Sequence, residues 1–284
     1  MLVGLLMLMG GVAAGAFGSL LGLGGGVLIV PLLTLGFGLP LRDAVGVSLV
    51  CVIMTSSAAA GVYLERHVAN LRLGMTLELF TALGALIGGS IAFLLDERLL
   101  ALLFAGLLAY VAATMVRAAL RAPAVRTAVA RDPLAVPPEV AGVPPEVAGA
   151  PPSGLVDPQA GYVVGRFPTG IAGSVGAGVV SALLGIGGGI IKVPLMHLVM
   201  GVPLRVATAT SNLMIGITAA ASAVIYLLRG GIDPYVAGPT VIGVFVGATL
   251  GSRLGHRVQV RYLQGMFVVV LGYTAIQMLL RAIG

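Results

Sequence analysis

Long apolar stretches, each about the length of a membrane span, alternate with short polar bends along the whole chain. The first runs from Leu2 to about Leu39 and is interrupted by a glycine run and by Pro31. Three unbroken stretches follow, at about 41–64, 73–95 and 99–120. Because roughly 20 apolar residues cross the hydrocarbon core as a helix, the pattern predicts an all-α integral membrane protein.

The second half of the chain repeats this plan, with a broken stretch at 167–202 and spans at about 204–228, 234–254 and 262–283. The run GLGGG at 22–26, followed by Val30-Pro31, recurs as GIGGG at 185–189, followed by Val193-Pro194. The offset is 163 residues, and residues 15–66 agree with residues 178–229 at 23 of 52 positions. Such self-similarity indicates an internal duplication.

Residues 121–166, between the two halves, are rich in proline and contain the tandem repeat PPEVAG at 137–142 and 144–149. Such a stretch cannot pack a core, so we interpret it as an extended, solvated linker and leave a binding role open. The chain then divides into a first transmembrane repeat at 1–120, a Pro-rich linker at 121–166 and a second transmembrane repeat at 167–284.

The orientation of the halves depends on how each broken stretch meets the membrane. If it is a hairpin that returns to its own side, each half has three full crossings and the halves are inverted. Eleven arginines then lie on one side of the membrane and four on the other, and the four are Arg42, Arg98, Arg229 and Arg281. If it crosses once, the halves are parallel, and nine arginines lie on one side of the membrane and six on the other. Since arginine collects in cytoplasmic loops, we favour inverted repeats, a cytoplasmic linker and both termini outside.

Composition narrows the class of protein further. The chain is 58% hydrophobic and 9% charged, with a mean hydropathy of +1.10, whereas soluble domains are about a quarter charged. The net charge of +6 fits cytoplasmic loops, and basic patches with interleaved aromatic residues, which nucleic-acid binding requires, are absent. No metal-ligand cluster, paired carboxylate or nucleophile–base arrangement stands out. We therefore expect no nucleic-acid partner, no metal, no cofactor and no enzyme activity.

The duplicated glycine run is the first candidate site, with Gly24, Gly25 and Gly26 in one copy and Gly187, Gly188 and Gly189 in the other. Non-helical backbone inside a membrane is tolerated only where protein or water covers it. A helix that restarts after the glycines presents unpaired N–H groups and a positive dipole end, which suits an anion. The alternative is that the glycines only allow helices to cross closely.

Polar residues after each break extend the candidate site. Ser48 and Ser211 are repeat partners, and Thr210 and Asn212 flank the latter. Their hydroxyl and amide groups can donate to oxyanion oxygens, or the hydroxyls can bond a carbonyl one turn back in their own helix. We also expect Arg42 and Arg205 to lie at the two mouths, where they either steer anions or anchor helix ends.

The sole lysine, Lys192, lies three residues after Gly189 in an apolar run. An ionisable residue at that depth is a functional hypothesis by default, and we include it among the substrate-binding residues. It is equally well explained as a side chain that snorkels to the membrane interface. Glu78 is either an interfacial residue or a site of proton coupling.

The doubled LLGxGGG…VP motif, at 20–31 and 183–194, with a following PLRxA and a serine, resembles the sulfite exporter TauE/SafE family. The resemblance covers both halves and implies an inner-membrane exporter of sulfur oxyanions. It implies site roles for the motif glycines, for Pro31 and Pro194, and for Ser48 and Ser211. The halves differ at Lys192 against Ile29 and at Asn212 against Leu49, so which half dominates binding stays open.

From these observations we predict a secondary transporter that exports sulfite or a related small organosulfur anion across the bacterial inner membrane by alternating access. Its expected partners are that anion and the lipid bilayer, with a homodimer left open. Uniport driven by the membrane potential and proton coupling are both open. The rivals are a permease for another small solute, such as a carboxylate or a metal cation, and a membrane assembly or sensor protein without transport.

Overall fold

The computed structural model describes residues 2–21, 25–65, 69–121, 156–157, 162–254 and 260–283. Within these ranges it is helical apart from one pair of two-residue strands. Eight of the described helices are long and apolar enough to cross a membrane, and two shorter apolar helices follow the glycine runs. The predicted class, an all-helical protein with several membrane spans, is confirmed.

The first half consists of helix α1 (Leu2–Leu21), helix α2 (Gly26–Pro31) with a π-helical turn (Leu32–Gly36), and helices α3 (Leu41–Glu65), α4 (Leu71–Ala92) and α5 (Glu97–Arg121). The second half consists of α6 (Phe167–Leu184), α7 (Gly189–Pro194) with a π-helical turn (Leu195–Val199), α8 (Leu204–Leu228), α9 (Pro234–Leu254) and α10 (Val260–Ile283). Adding the offset of 163 residues to the first set reproduces the second within about two residues, so the duplication extends over the whole half.

In the predicted linker, strand β1 (Val156–Asp157) pairs antiparallel with strand β2 (Tyr162–Val163). The rest of the linker up to residue 161 lies outside the described residues, and so does Gly24. The end of the linker packs against the second half, because Val164 is buried and the N–H of Gly165 donates to the carbonyl of Met200.

Each broken stretch is a hairpin with a long limb and a short limb. In the first hairpin (α1, α2 and their π-turn), Gly25 faces Ala14 and Gly10 contacts the side chain of Leu32. In the second hairpin (α6, α7 and their π-turn), Gly173 contacts Leu195 in the same way. The long limbs have 20 and 18 residues, so each is long enough to cross a membrane alone.

Glycines let the long limbs pack backbone to backbone on the opposite half. Helix α1 lies parallel to α9, and α6 lies parallel to α4. A Cβ added at Gly247 would lie 2.1 Å from the carbonyl oxygen of Val12, and one at Gly84 would lie 2.1 Å from that of Val175. These two contacts are related by the repeat offset. Small residues commonly permit such close approach between membrane helices.

Helices α3 and α8 pack against each other in opposite directions. Gly46 contacts Gly231 at one end, the hydroxyl of Ser56 donates to the carbonyl of Asn212 midway, and the N–H of Asn70 donates to Thr210 at the other end. We name these ends of the bundle the Arg42 end (residues 37–46, 93–97 and 229–233) and the Asn70 end (residues 69–70, 164–166 and 200–210).

The two hairpins enter the bundle from opposite ends. The first hairpin leads into α3 at the Arg42 end, where the N–H of Leu41 donates to Glu97. The second leads into α8 at the Asn70 end, where Met200 accepts the bond from Gly165. Their glycine tips therefore meet in the middle of the bundle. The orientation of the halves with respect to a bilayer stays a prediction.

The glycine packing gives a testable contrast between two helix-interior positions. We expect Gly84→Ala to lower the melting temperature of the detergent-solubilised protein, because its methyl group would collide with the backbone of α6. Gly106→Ala on α5, where nothing lies within 4 Å of an added Cβ, should leave the melting temperature unchanged or raise it, since alanine favours helix by about 1 kcal/mol. Equal melting temperatures for the two variants would contradict the packing described here.

Candidate functional site

The tips of the two hairpins touch each other, and Ser48 joins them. A Cβ added at Gly26 would lie 2.7 Å from the carbonyl oxygen of Gly185. The hydroxyl of Ser48 donates to that same carbonyl at 2.7 Å, and the carbonyl of Gly26 lies 3.2 Å away. Ser48 is fully buried. Its side chain thus contacts backbone oxygens from both halves at the point where both hairpins leave helical geometry.

Backbone conformation explains why glycine occupies the tips. Gly25 and Gly188 cap α2 and α7 with φ angles of 71° and 80°, and Gly185 and Gly187 also have positive φ. Side chains disfavour this region, whereas glycine adopts it freely. The first N–H groups of any helix have no intrahelical partner, and no side chain caps α2 or α7. Both helices thus point the positive ends of their dipoles into the centre of the bundle.

Two buried hydroxyls border the second tip without a hydrogen-bond partner. They belong to Ser181 and Ser211, each 1% exposed. Their oxygens lie 3.4 Å and 3.6 Å from Cβ atoms added at Gly188 and Gly189, respectively. A buried donor without a partner costs about 1–3 kcal/mol, so these two hydroxyls are groups that a bound oxyanion would satisfy.

Lys192 projects from α7 into a buried ion pair with Glu78 of α4. Its Nζ lies 2.9 Å from Oε2 of Glu78 and donates to Oγ1 of Thr218 at 2.5 Å. The hydroxyl of Thr218 in turn donates to Oε1 of Glu78 at 2.6 Å. The side chains of Lys192 and Glu78 are 1% and 4% exposed. The snorkelling explanation for Lys192 and the interfacial explanation for Glu78 are therefore wrong.

The lysine also borders the second glycine tip. A Cβ added at Gly188 would lie 3.4 Å from Cε of Lys192, so the aliphatic stem of the lysine, Ser181 and Gly188 share one small region. A cavity of about 10 Å³ lies against Ser181 and Gly188. That volume holds roughly one water molecule, which is too small for a larger solute.

Thr210 and Asn212, two further predicted binding residues, have contacts within the bundle. The hydroxyl of Thr210 accepts the N–H of Asn70 at 3.0 Å and so ties the beginning of α4 to α8. The carbonyl of Asn212 accepts the hydroxyl of Ser56 at 2.6 Å, and its side chain is 7% exposed. A role of either residue in binding a substrate stays a prediction.

Arg42 anchors the Arg42 end of the bundle. Its Nη2 donates to the carbonyl of Leu95 at 2.8 Å, and its guanidinium carbon lies 5.4 Å from the centroid of Phe93. Arg229 lies 5.6 Å from the same ring. The anchoring role is thus observed, and the steering role stays a prediction. The side chain of Arg205, the predicted second mouth residue, lies outside the described side chains.

Sequence patterns alone did not identify three of these groups. Ser181 and Thr218 were missed, and Glu78 was not recognised as the partner of Lys192. A signal was present for the ion pair, because one acid and one lysine lie deep in apolar stretches of different halves and need each other there. Ser181 offered a weaker signal, since it lies one helical turn before the second glycine run.

Eight candidate spans, built around two broken helices whose tips meet at a buried centre, define a multi-pass membrane protein with the architecture of a transporter. The chain belongs to the sulfite exporter TauE/SafE family, whose profile matches residues 7–278. This is a family of membrane transporters, and the chain is a transporter of this kind and not an enzyme.

Similar proteins carry names that describe transport. The chain is 24% identical over 274 residues to the probable membrane transporter protein YunE of Bacillus subtilis, with 92% of each chain covered. It is 32% identical over 110 residues to the probable membrane transporter protein MamO of Magnetospirillum gryphiswaldense, which is 36% of this chain and 17% of that protein. No solved structure matches the chain.

The two repeat-related serines provide a matched test of the site. Ser48→Ala should lower the free energy of unfolding by about 1–3 kcal/mol, because it leaves buried carbonyls unsatisfied. Ser211→Ala removes a hydroxyl that has no partner, so stability should stay the same or rise. The measurement is thermal or denaturant unfolding in detergent. A larger loss for Ser211→Ala than for Ser48→Ala would contradict this assignment.

Proposed function

We propose that this transporter exports sulfite, or a related small sulfur oxyanion, from the bacterial cytoplasm across the inner membrane. The observation that carries the proposal is the meeting of the two glycine tips at a buried centre. The second tip combines a helix N-terminus with the buried hydroxyls of Ser181 and Ser211 and with Lys192 nearby.

The chemistry of this centre favours an oxyanion over other small solutes. Hydroxyl and backbone N–H groups are donors, and a helix N-terminus attracts negative charge. Sulfite offers three oxygen acceptors to such donors. Among the described residues, no group of three or more His, Cys, Asp or Glu side chains lies together, so a metal cation has less support. Substrate roles for Gly25, Gly26, Gly187 and Gly189 belong to the same proposal.

We further propose that the halves, residues 1–120 and 167–284, are inverted repeats and that the linker at 121–166 is cytoplasmic. The antiparallel packing of α3 and α8 supports the inversion, as does the entry of the hairpins from opposite ends. Three of the four arginines assigned to the outside, Arg42, Arg98 and Arg229, lie at or beside the Arg42 end. That end is then periplasmic, with both termini outside.

This geometry supports alternating access as the mechanism of the proposed transport. The two halves meet through α1 with α9, α4 with α6, α3 with α8, α5 with α10 and the hairpin tips, and a rocking motion across these contacts would expose the tips first to one side and then to the other. A negative-inside potential favours anion exit by ~2.3 kcal/mol per charge per 100 mV.

Efflux of radiolabelled sulfite from proteoliposomes under an imposed potential tests this function. Flux of the sulfite dianion should follow the potential in the wild type. Ser211→Ala should slow it roughly ten- to a hundredfold, the value of a hydrogen bond to a charged group. Gly188→Ala should slow it as well, because a side chain at a φ of 80° strains the tip and its Cβ would lie 3.3 Å from the side chain of Ser181. Ser90→Ala is the control, because that hydroxyl bonds only its own helix at Leu86.

Other outcomes separate the rival functions. Movement of a carboxylate in place of sulfite would keep the transporter and change the substrate. Absence of flux for every anion offered, with the protein folded, would contradict transport and favour an assembly or sensor role. Equal flux in Ser211→Ala and wild type would remove the second tip from the substrate path.

A further inference from the structure

The buried ion pair breaks the symmetry between the halves. The repeat counterparts of Glu78 and Lys192 are Val241 and Ile29, both apolar, while Thr218 has Thr55 as its counterpart. The helices around the two positions nevertheless have matching bounds and matching packing. Because the first hairpin packs with apolar residues at these places, the fold does not require a charged pair. Buried ion pairs also add little net stability relative to apolar residues of similar size.

The pair is electrostatically isolated among the described side chains. Helix α6 carries no charged residue, and Lys192 is the only one on α7. On α4 the other charged residue is Arg72, which is exposed. His197, on the π-turn after α7, is exposed and bonds the carbonyl of Val202. Arg205 begins α8 at the Asn70 end, and its side chain lies outside the described side chains. Glu78 therefore faces a single described cation.

In the described state Glu78 and Lys192 neutralise each other, so an anion that enters beside Gly188 meets no net charge. If the anion is to bind the ammonium group, the carboxylate and the anion would have to share one cation in a medium of low dielectric constant. Two like charges in one buried site do not both persist, and one takes up a proton. The proton can bind the anion or Glu78, and only Glu78 stays in the protein when the anion moves on.

The hydrogen bonds of the triad permit that exchange. In the described state the hydroxyl of Thr218 donates to Oε1 of Glu78. When a proton from water binds that oxygen, the direction of this bond can reverse, and the new O–H of Glu78 donates to Oγ1 of Thr218. Thr218 can then turn its own hydroxyl hydrogen away from Glu78. Lys192 loses its carboxylate partner and keeps its charge for the anion. The proton comes from a hydronium ion, whose O–H bond breaks as the O–H bond to Glu78 forms, and a water molecule is left; no other covalent bond changes.

We propose that Glu78 takes up one proton whenever the anion binds at Lys192, so that proton and anion occupy the transporter together and move together. This inference rests on the anion site proposed above. A dianion that carries one proton with it still moves one negative charge, so the membrane potential still drives its exit. A monoanion with one proton moves no net charge, so its flux depends only on the concentrations of anion and proton.

Binding of radiolabelled sulfite to the purified full-length protein, measured across mildly acidic to mildly alkaline pH, tests the inference. Linked uptake of one proton makes wild-type affinity fall by about tenfold for each unit that pH rises, beyond the change in sulfite's own protonation. In Glu78→Gln this additional dependence should vanish. Glu97→Gln is the matched control, because Gln keeps the acceptor for Leu41 and removes a charge at the end of the bundle.

A second variant protects the test against a folding failure of Glu78→Gln. The double variant Glu78→Val with Lys192→Ile copies the residues of the first half at Val241 and Ile29, so it should fold. It should lose the additional pH dependence and bind sulfite at least tenfold more weakly.

The outcomes separate the two proposals. If wild type binds sulfite and Glu78→Gln or the double variant retains the wild-type pH dependence, the proton linkage is wrong and the transport proposal stands. If wild type binds sulfite with no pH dependence beyond that of sulfite itself, the linkage is equally overturned. If wild type neither binds nor moves sulfite, the proposed substrate is wrong and the linkage falls with it.

Discussion

Backbone polar groups must find partners inside a membrane, and this requirement governs the centre of the molecule. Each glycine run releases N–H and C=O groups from helical bonding at a depth where lipid offers none. The two runs solve the problem together, since their tips touch and Ser48 gives a hydrogen-bond donor to the carbonyl of Gly185 from the opposite half. The same hydroxyl lies 3.2 Å from the carbonyl of Gly26 in its own half, so one side chain contacts the backbone of both breaks.

Close packing around the tips depends on the same small residues. The long limb of each hairpin lies against a helix of the other half, with glycines such as Gly84 and Gly247 at the contacts. A bundle held by backbone contact has few large side chains between these helices. The close packing of the long limbs therefore holds the two glycine tips at the centre of the bundle.

The duplication accounts for the helical scaffold that the two halves share, and sequence divergence between the halves accounts for the buried polar groups of the second hairpin. The first hairpin has Gly11, Gly18 and Ile29 where the second has Ser174, Ser181 and Lys192. All three replacements are buried and polar, and the first two hydroxyls have no hydrogen-bond partner. The buried polar groups around the second tip therefore come mainly from the second half. The first half contributes Ser48, which bonds backbone carbonyls of both tips, and Glu78, which pairs with Lys192.

The amino-acid sequence by itself determined the helical class, the span boundaries to about three residues, the duplication and the position of the two glycine breaks, because apolar length and glycine runs act locally. It also singled out Ser48, Ser211 and Lys192. Only the tertiary structure decided what these residues meet: Ser48 bonds a carbonyl 137 positions away, and Lys192 pairs with an acid 114 positions away. Periodicity carries no information about such contacts, since they depend on how two halves dock and on which buried charge has no other neighbour.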